Sequence, residues 1–294
     1  MIFIHPINAF MWTFRRNPRD VINLYNKLSF IMQLATGGNM LNFGYWSKTN
    51  DTPSKAQNKL CELVGNIAEL DLAKNVADIG SGFSEPALLW RNSYPLEQIF
   101  SVNINYNQLD VSNTIIHSNS NLNYNTKKNI NLINSTALKL PFHKESMDRI
   151  ISLESAQHFR PLKNFVTESQ YVLKKSGLFV MAIPILNVLL NSVTKFSTLG
   201  LLTFTWVSEH YYLNNVLSLV NKYFHVLDIF SIGQYVYVPL ANYYIKNRDV
   251  FRDKISFTYN SLIEYVLFKS LLKMKRLSEN KIIDYVIIKA IKEI

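Results

Sequence analysis

The sequence predicts an α/β fold: a mostly parallel sheet with helices on both faces. Two patterns carry that expectation. Between residues 75 and 184, five short apolar runs alternate with segments of helical spacing, and continuous apolarity marks strands buried on both faces. The first run ends in a glycine-containing turn that opens a helix; ligands in open parallel sheets gather at such strand ends.

The expected strands are NVADIG at 75–80, IFSVNI at 99–104, INLIN at 130–134, MDRIISLE at 147–154 and GLFVMAIP at 177–184. Residues 224–231 and the run KIIDYVIIKAI at 281–291 bring the expected sheet to seven strands. Leu60, Leu63, Val64, Ile67 and Leu70 recur at helical spacing and predict a helix over 56–72. A second helix is expected over 162–173, and residues 185–272, rich in Leu, Phe and Tyr, read as mostly helical. The stretch 178–207 has Lys195 as its single charge and is long enough to span a bilayer. Pro184 and several Asn, Ser and Thr residues interrupt it, so strand, loop and apolar helix are the better reading.

Composition narrows the class. Of 294 residues, 48% are hydrophobic and 18% charged, which is globular. The net charge of +10 would suit nucleic acid or an anionic surface. The lysines are spread along the chain rather than stacked, so the charge reads as composition, and no nucleic-acid partner is expected. One cysteine, Cys61, makes neither an internal disulfide nor a thiolate cluster, and a reducing cytoplasm is the simplest compartment. At the N-terminus apolar residues precede the arginines, the wrong order for a secretory signal.

The turn after the first strand reads DIGSGFSE at 78–85. Gly80 permits a tight turn and Gly82 a close backbone approach to a ligand; Ser84 stands where a third glycine is common. No GK[ST] follows, so this is not a phosphate cradle. Asp78 ends an apolar strand, where a carboxylate is costly unless paired, and an anionic residue there fits a cationic or hydroxylated ligand.

These stretches together resemble the class I S-adenosylmethionine (SAM) dependent methyltransferases, in the small-molecule branch of methyltransferase type 11 that includes sugar, sterol and natural-product enzymes. VADIGSGFSEPA, FSVNINYNQLDVSN, STALKLPFHKESMDRIISLESAQHF, YVLKKSGLFVMAIP and LNFGYW carry the likeness, which covers about 39–184. The resemblance implies a Rossmann-like seven-stranded sheet with a helical N-terminal cap (1–72), a SAM-binding core (73–184) and an acceptor-side helical lid with the last strands (185–294), all in one domain. It implies that Asp78, Gly80, Gly82 and Phe83 line the methionine and ribose portions of SAM. Asn103, Ile104 and Gln108 would lie near ribose and adenine, Thr136, Ala137 and Leu138 would flank the adenine, and Tyr45 and Trp46 would cover the site. The sequence departs from the family at Asn103, often an acid, at Thr136, commonly Asp, and at Ser176, usually glycine.

Methyl transfer from a sulfonium needs positioning, exclusion of water and, for an oxygen acceptor, removal of a proton. His158, just past the fourth strand, is the candidate general base; the alternative is a histidine that shapes the pocket. Glu154, Trp206, His210 and Tyr211 are candidates for the acceptor pocket. The aromatic content of 185–272 favours a small hydrophobic acceptor, and peripheral contact with a membrane is compatible with it. No metal is expected, since no HxxxH or HExxH spacing occurs. A nicotinamide oxidoreductase would want the missing third glycine, and an amine-methylating nucleic-acid enzyme would want [DNS]PP[YF] where this chain reads ESAQ.

Overall fold

A computed structural model of the chain describes residues 17–36, 38–47, 51–118, 129–200, 202–205, 208–258 and 261–293. Seven strands form one sheet: β1 (Asn75–Ile79), β2 (Gln98–Asn103), β3 (Ile130–Asn134), β4 (Met147–Leu153), β5 (Leu173–Leu186), β6 (His225–Ser231) and β7 (Ile283–Ile291). Their spatial order is β3-β2-β1-β4-β5-β7-β6. β1 to β5 run parallel and β7 lies antiparallel to both β5 and β6. The strands coincide with the seven apolar runs. The order reverses between β1 and β4, which makes their carboxyl ends the crevice of an open α/β sheet.

The described helices are α1 (Pro18–Thr36), α2 (Pro53–Ile67), α3 (Glu85–Ser93), α4 (Tyr106–Ser118), α5 (Leu162–Val172), α6 (Ser192–Leu199), α7 (Leu202–Thr205), α8 (Leu213–Val220), α9 (Tyr237–Lys246), α10 (Arg248–Thr258) and α11 (Ser261–Glu279). Strand alternation explains why they sit on both faces. Val180 and Ala182 of β5 join one core with Leu60 and Val64 of α2, Trp90 of α3 and Leu277 of α11. Phe179, Met181 and Ile183 join the other, with Phe165 of α5 and Val220 of α8. One residue per step to each face is the period of a strand.

The expected helix over 56–72 begins earlier and ends sooner. Thr52 caps it, its hydroxyl accepting from the Lys55 amide, and Pro53 stands in the first turn, where a missing N–H costs nothing. It closes at Ile67, and 70–72 form a separate 3₁₀ turn. The apolar stretch 178–207 divides into the rest of β5, an irregular link, α6 and α7. Among the described residues no helix is long and apolar enough to cross a membrane.

A third, smaller core joins Ile31 of α1 to Tyr244 of α9, Phe251 and Ile255 of α10, and Phe268 of α11. The N-terminal helix and the 237–279 helices are therefore packed together beside the sheet.

Candidate active site

The carboxyl ends of β1, β2 and β4 open into a cavity, part of it open to solvent. Its floor is the glycine loop. Gly80 has φ +79° and a side chain there would run into Ser155; Gly82 has φ +56°. Glycine is required at the first position by space and conformation, at the second by conformation. The amides of Gly80 and Ser81 bond the Val102 carbonyl at 2.7 and 3.2 Å, which draws the loop over the end of β2. Ser84 adopts φ +58°, so the third position keeps the left-handed backbone without the glycine.

Asp78 lies behind this loop, 1% exposed. Burial pushes its carboxyl up to about 7, and among the described residues its Oδ2 has no hydrogen-bond partner. A buried oxygen with no hydrogen bond beside a cavity favours a donor there, best a cationic one.

The β2 side is more committed than the sequence suggests. Asn103 donates from Nδ2 to the Gly82 carbonyl (3.0 Å) and to Gln108 Oε1 (2.9 Å), and its Oδ1 accepts from the Asn105 amide (3.0 Å). It faces the cavity, yet both its protons tie the glycine loop to α4. Gln108 in turn donates to Ser29, and Asn105 to Asn26, both on α1. Ile104, Thr136, Ala137 and Leu138 complete this wall. The Thr136 hydroxyl accepts from the Leu138 amide at 3.2 Å, which shapes the turn as Asp would.

At the β4 side stand Glu154 and His158. Glu154 is pushed up to about 8 by burial, against the Phe43 N–H and the Tyr285 hydroxyl, which lower it. The Phe43 amide donates to its Oε1 at 2.9 Å, so this carboxyl anchors the segment 39–46 to the sheet. His158 Nε2 is 2.8 Å from the hydroxyl of Tyr25, edge-on to its ring. Burial, then the Glu154 charge, raises the Tyr25 pKa. Tyr25, Val21 and Ile22 share one face of α1 and roof the cavity. Sequence reading missed all three, although Tyr25 follows Ile22 and Val21 by three and four residues, a helical-face spacing. It also missed Asn105, Ser155 and Arg160, which line the same space.

Several expected residues lie elsewhere. The 39–46 segment lines the cavity with Asn39 to Asn42, not with Tyr45 and Trp46. Gly44, at φ +82° and pressed on Ala56, turns the chain away. The Tyr45 amide then bonds the Ala56 carbonyl, and the Trp46 amide bonds that of Tyr235, with the indole against Tyr243. His210 is buried outside the cavity lining. Tyr211 donates to the Phe159 carbonyl and borders a separate shallow hollow with Arg160, Lys163 and Glu209. Trp206 lies outside the described residues. Phe83 lines the main cavity as expected; Asp78 stands one layer behind it.

A glycine loop at a sheet switch point, with a buried carboxylate behind it and no phosphate cradle, marks a ligand site of an open α/β sheet. The family profile described as Methyltransferase domain matches residues 77–181. The erythromycin 3''-O-methyltransferase of Saccharopolyspora erythraea is 26% identical over 171 residues, which are 58% of this chain and 54% of that enzyme. The match thus spans about half the length of that relative. Methyltransferase GfsG of Streptomyces halstedii is 22% identical over 219 residues, covering 74% of this chain and 76% of that one. Among solved structures, the cyclopropane synthase MmaA2 of Mycobacterium tuberculosis superposes with a TM-score of 0.79 at 13% identity, over 94% of this chain and 98% of that one, a likeness of fold. SAM is the cofactor of this domain, and the residues present fit it. The Asp78 oxygen awaits a cationic donor such as the cofactor's ammonium, and Gly80 and Gly82 leave its backbone room.

Proposed function

We propose that the protein is an enzyme that transfers a methyl group from SAM to a small lipophilic acceptor, at oxygen or carbon. One observation carries the reading: a single cavity has the unpaired Asp78 behind its glycine loop and the Tyr25–His158 pair across from it. Between them lie apolar walls of Val21, Ile22, Leu41 and Leu153. The relative named for erythromycin methylation supports a bulky natural-product acceptor. Cys61 is buried and not in a disulfide, which supports a reducing, cytoplasmic compartment.

When bound, SAM supplies the electrophilic methyl group and departs as S-adenosylhomocysteine. The chain contributes the rest. Gly80 and Gly82 would hold the methionine end, with Asp78 behind them, and Ile104, Ala137 and Leu138 would hold the adenine side. The α1 roof excludes water. For a hydroxyl acceptor, the O–H bond breaks as the O–C bond forms. The proton passes to the Tyr25 oxygen, which hands its own proton to His158 Nε2 across their 2.8 Å contact.

Calorimetric titration with S-adenosylhomocysteine, with NAD as control, is the first test. Micromolar binding of the former alone, about −8 kcal/mol, is expected. Labelled SAM is then offered with lipid, isoprenoid and macrolide alcohols. Tyr25→Phe and His158→Ala should lower turnover on an alcohol by about 10²–10⁴, with cofactor binding within a few-fold and the base limb of the pH profile lost. Unchanged turnover in both variants would refute the proton path, and absence of cofactor binding would refute the function.

A further inference from the structure

Among the described residues, the apolar stretch that follows β5 does not line the cavity, and its surroundings point to another role. Leu189 and Phe196 are 71% and 55% exposed, and on the neighbouring α11 Leu262 and Tyr265 are 66% and 49% exposed. Isolated exposed apolar residues are ordinary; a group of large ones on adjoining elements marks a contact surface.

Three links join these elements. The Asn187 amide and side chain bond the carbonyls of Ile282 and Lys281, beside the C-terminal end of α11. Gly200, which ends α6, packs 4.0 Å from the Lys273 side chain at the position a Cβ would take. α7 also packs on α11. The outward stripe of α11 then reads Leu262, Tyr265, Lys269, Lys273, Arg276, steps of three and four that keep one helical face. Over the 19 residues of α11, about 28 Å long, the apolar groups stand at the N-terminal end of the strip and the cations follow them. Lys269 lies over the Tyr265 ring at 5.3 Å.

The cations of this stripe differ from those next to it. On α10, Arg248 is held by Glu264, and Arg252 by Asp249 and Asp253. Lys275 pairs with Glu279. Lys269, Lys273 and Arg276 are outside all of these pairs. Large apolar side chains beside cations that have no carboxylate partner among the described residues, on one helical face, are what an anionic bilayer surface binds. The apolar groups enter the headgroup boundary and the cations meet lipid phosphates.

We propose that the outer face of α11, with Leu189 and Phe196, docks on an anionic lipid bilayer. This goes beyond methyl transfer and does not depend on it. It would bring a lipophilic acceptor close, since α11 shares the small core that holds Ile31 of the cavity-roofing α1.

The test uses the full chain and flotation with phosphatidylcholine vesicles, with and without phosphatidylglycerol, and no acceptor. Binding is expected to the anionic vesicles alone and to weaken as salt shortens screening from about 10 Å at 0.1 M to about 3 Å at 1 M. Lys273→Glu and Arg276→Glu should each weaken it at least fivefold, the loss of one cation at the surface being worth ~1 kcal/mol. Leu262→Asp with Phe196→Asp should weaken it at least as much. All four sites are on the surface, and unchanged binding of S-adenosylhomocysteine shows that each variant is folded. Failure of the wild-type chain to float with anionic vesicles, equal binding to neutral ones, or undiminished binding by the variants would overturn the proposal. Loss of cofactor binding in the wild-type chain would count against the methyltransferase reading alone.

Discussion

Replacement of Asp78 by Asn tests the cofactor site and the fold together. The carboxyl is buried and raised from an ordinary 3.8 to about 7 by burial. Between about pH 4 and pH 7 the folded chain binds this proton more tightly than the unfolded chain, so the Asp78 contribution to stability falls as pH rises through that window. Each tenfold in proton affinity is worth about 1.4 kcal/mol, so ionised Asp78 burdens the free protein by up to ~4 kcal/mol above pH 7. Asn cannot ionise. Asp78→Asn should therefore be more stable than wild type at pH 8, by about 2–4 kcal/mol, with the difference shrinking towards pH 4. Urea midpoints at a series of pH values read this directly, and subtraction removes the similar slope from Glu154. Cofactor affinity should move the other way. An ammonium paired with the carboxylate lowers its pKa, so binding of S-adenosylhomocysteine should release protons near pH 6.5 and tighten as pH rises towards 7. Calorimetry in buffers of different ionisation enthalpy measures that release. A hydrogen bond to a charged group is worth about 1.5–3 kcal/mol, so the Asn variant should bind roughly 10- to 100-fold more weakly and release no protons. Parallel stability curves for the two proteins, or equal affinities, would refute the argument.

Two other substitutions test the geometry. Gly80→Ala places a methyl group against Ser155 on a backbone at φ +79°; it should destabilise the chain by roughly 2–3 kcal/mol and abolish measurable cofactor binding by calorimetry. Arg248→Met leaves Glu264, 2% exposed, with the Tyr244 hydroxyl as a bonding partner but no cation. The chain should unfold at lower urea, with most of the loss recovered in the double variant Arg248→Met/Glu264→Leu, because an uncompensated buried charge costs more than a missing pair.

The parts legible in the sequence are those with short-range signatures. Strands buried on both faces announce themselves as apolar runs, and all seven fall within a few residues of their runs. The glycine turn is legible because conformation restricts residue choice. The roof of the site was not legible in the same way. Tyr25 reaches His158 across 133 positions, and nothing local to either residue shows that their helix and strand end will meet. Tyr45 and Trp46 show the opposite failure: an aromatic motif points to the right segment, but the turn at Gly44 decides which of its residues face the ligand.

The departures from the family pattern have a common structure. Ser84 and Ser176 both stand where glycine is usual, and both adopt the left-handed backbone, at φ +58° and +60°. That conformation costs a side-chain-bearing residue about 1–2 kcal/mol, so the surroundings must hold it. The Ser84 amide bonds the Ser81 carbonyl, and the Ser176 amide bonds that of Lys292. The backbone path is retained while the residue that makes it easy is not. Asn103 follows the same logic with hydrogen bonds in place of torsions. A carboxylate here could accept bonds but could not donate to Gly82 and Gln108, whereas the amide does both. Through Gln108 and Ser29 that bond chain reaches α1, the helix that carries Tyr25. Asn103 thus gives up a negative charge towards the ligand and gains a connection between the floor of the site and its roof.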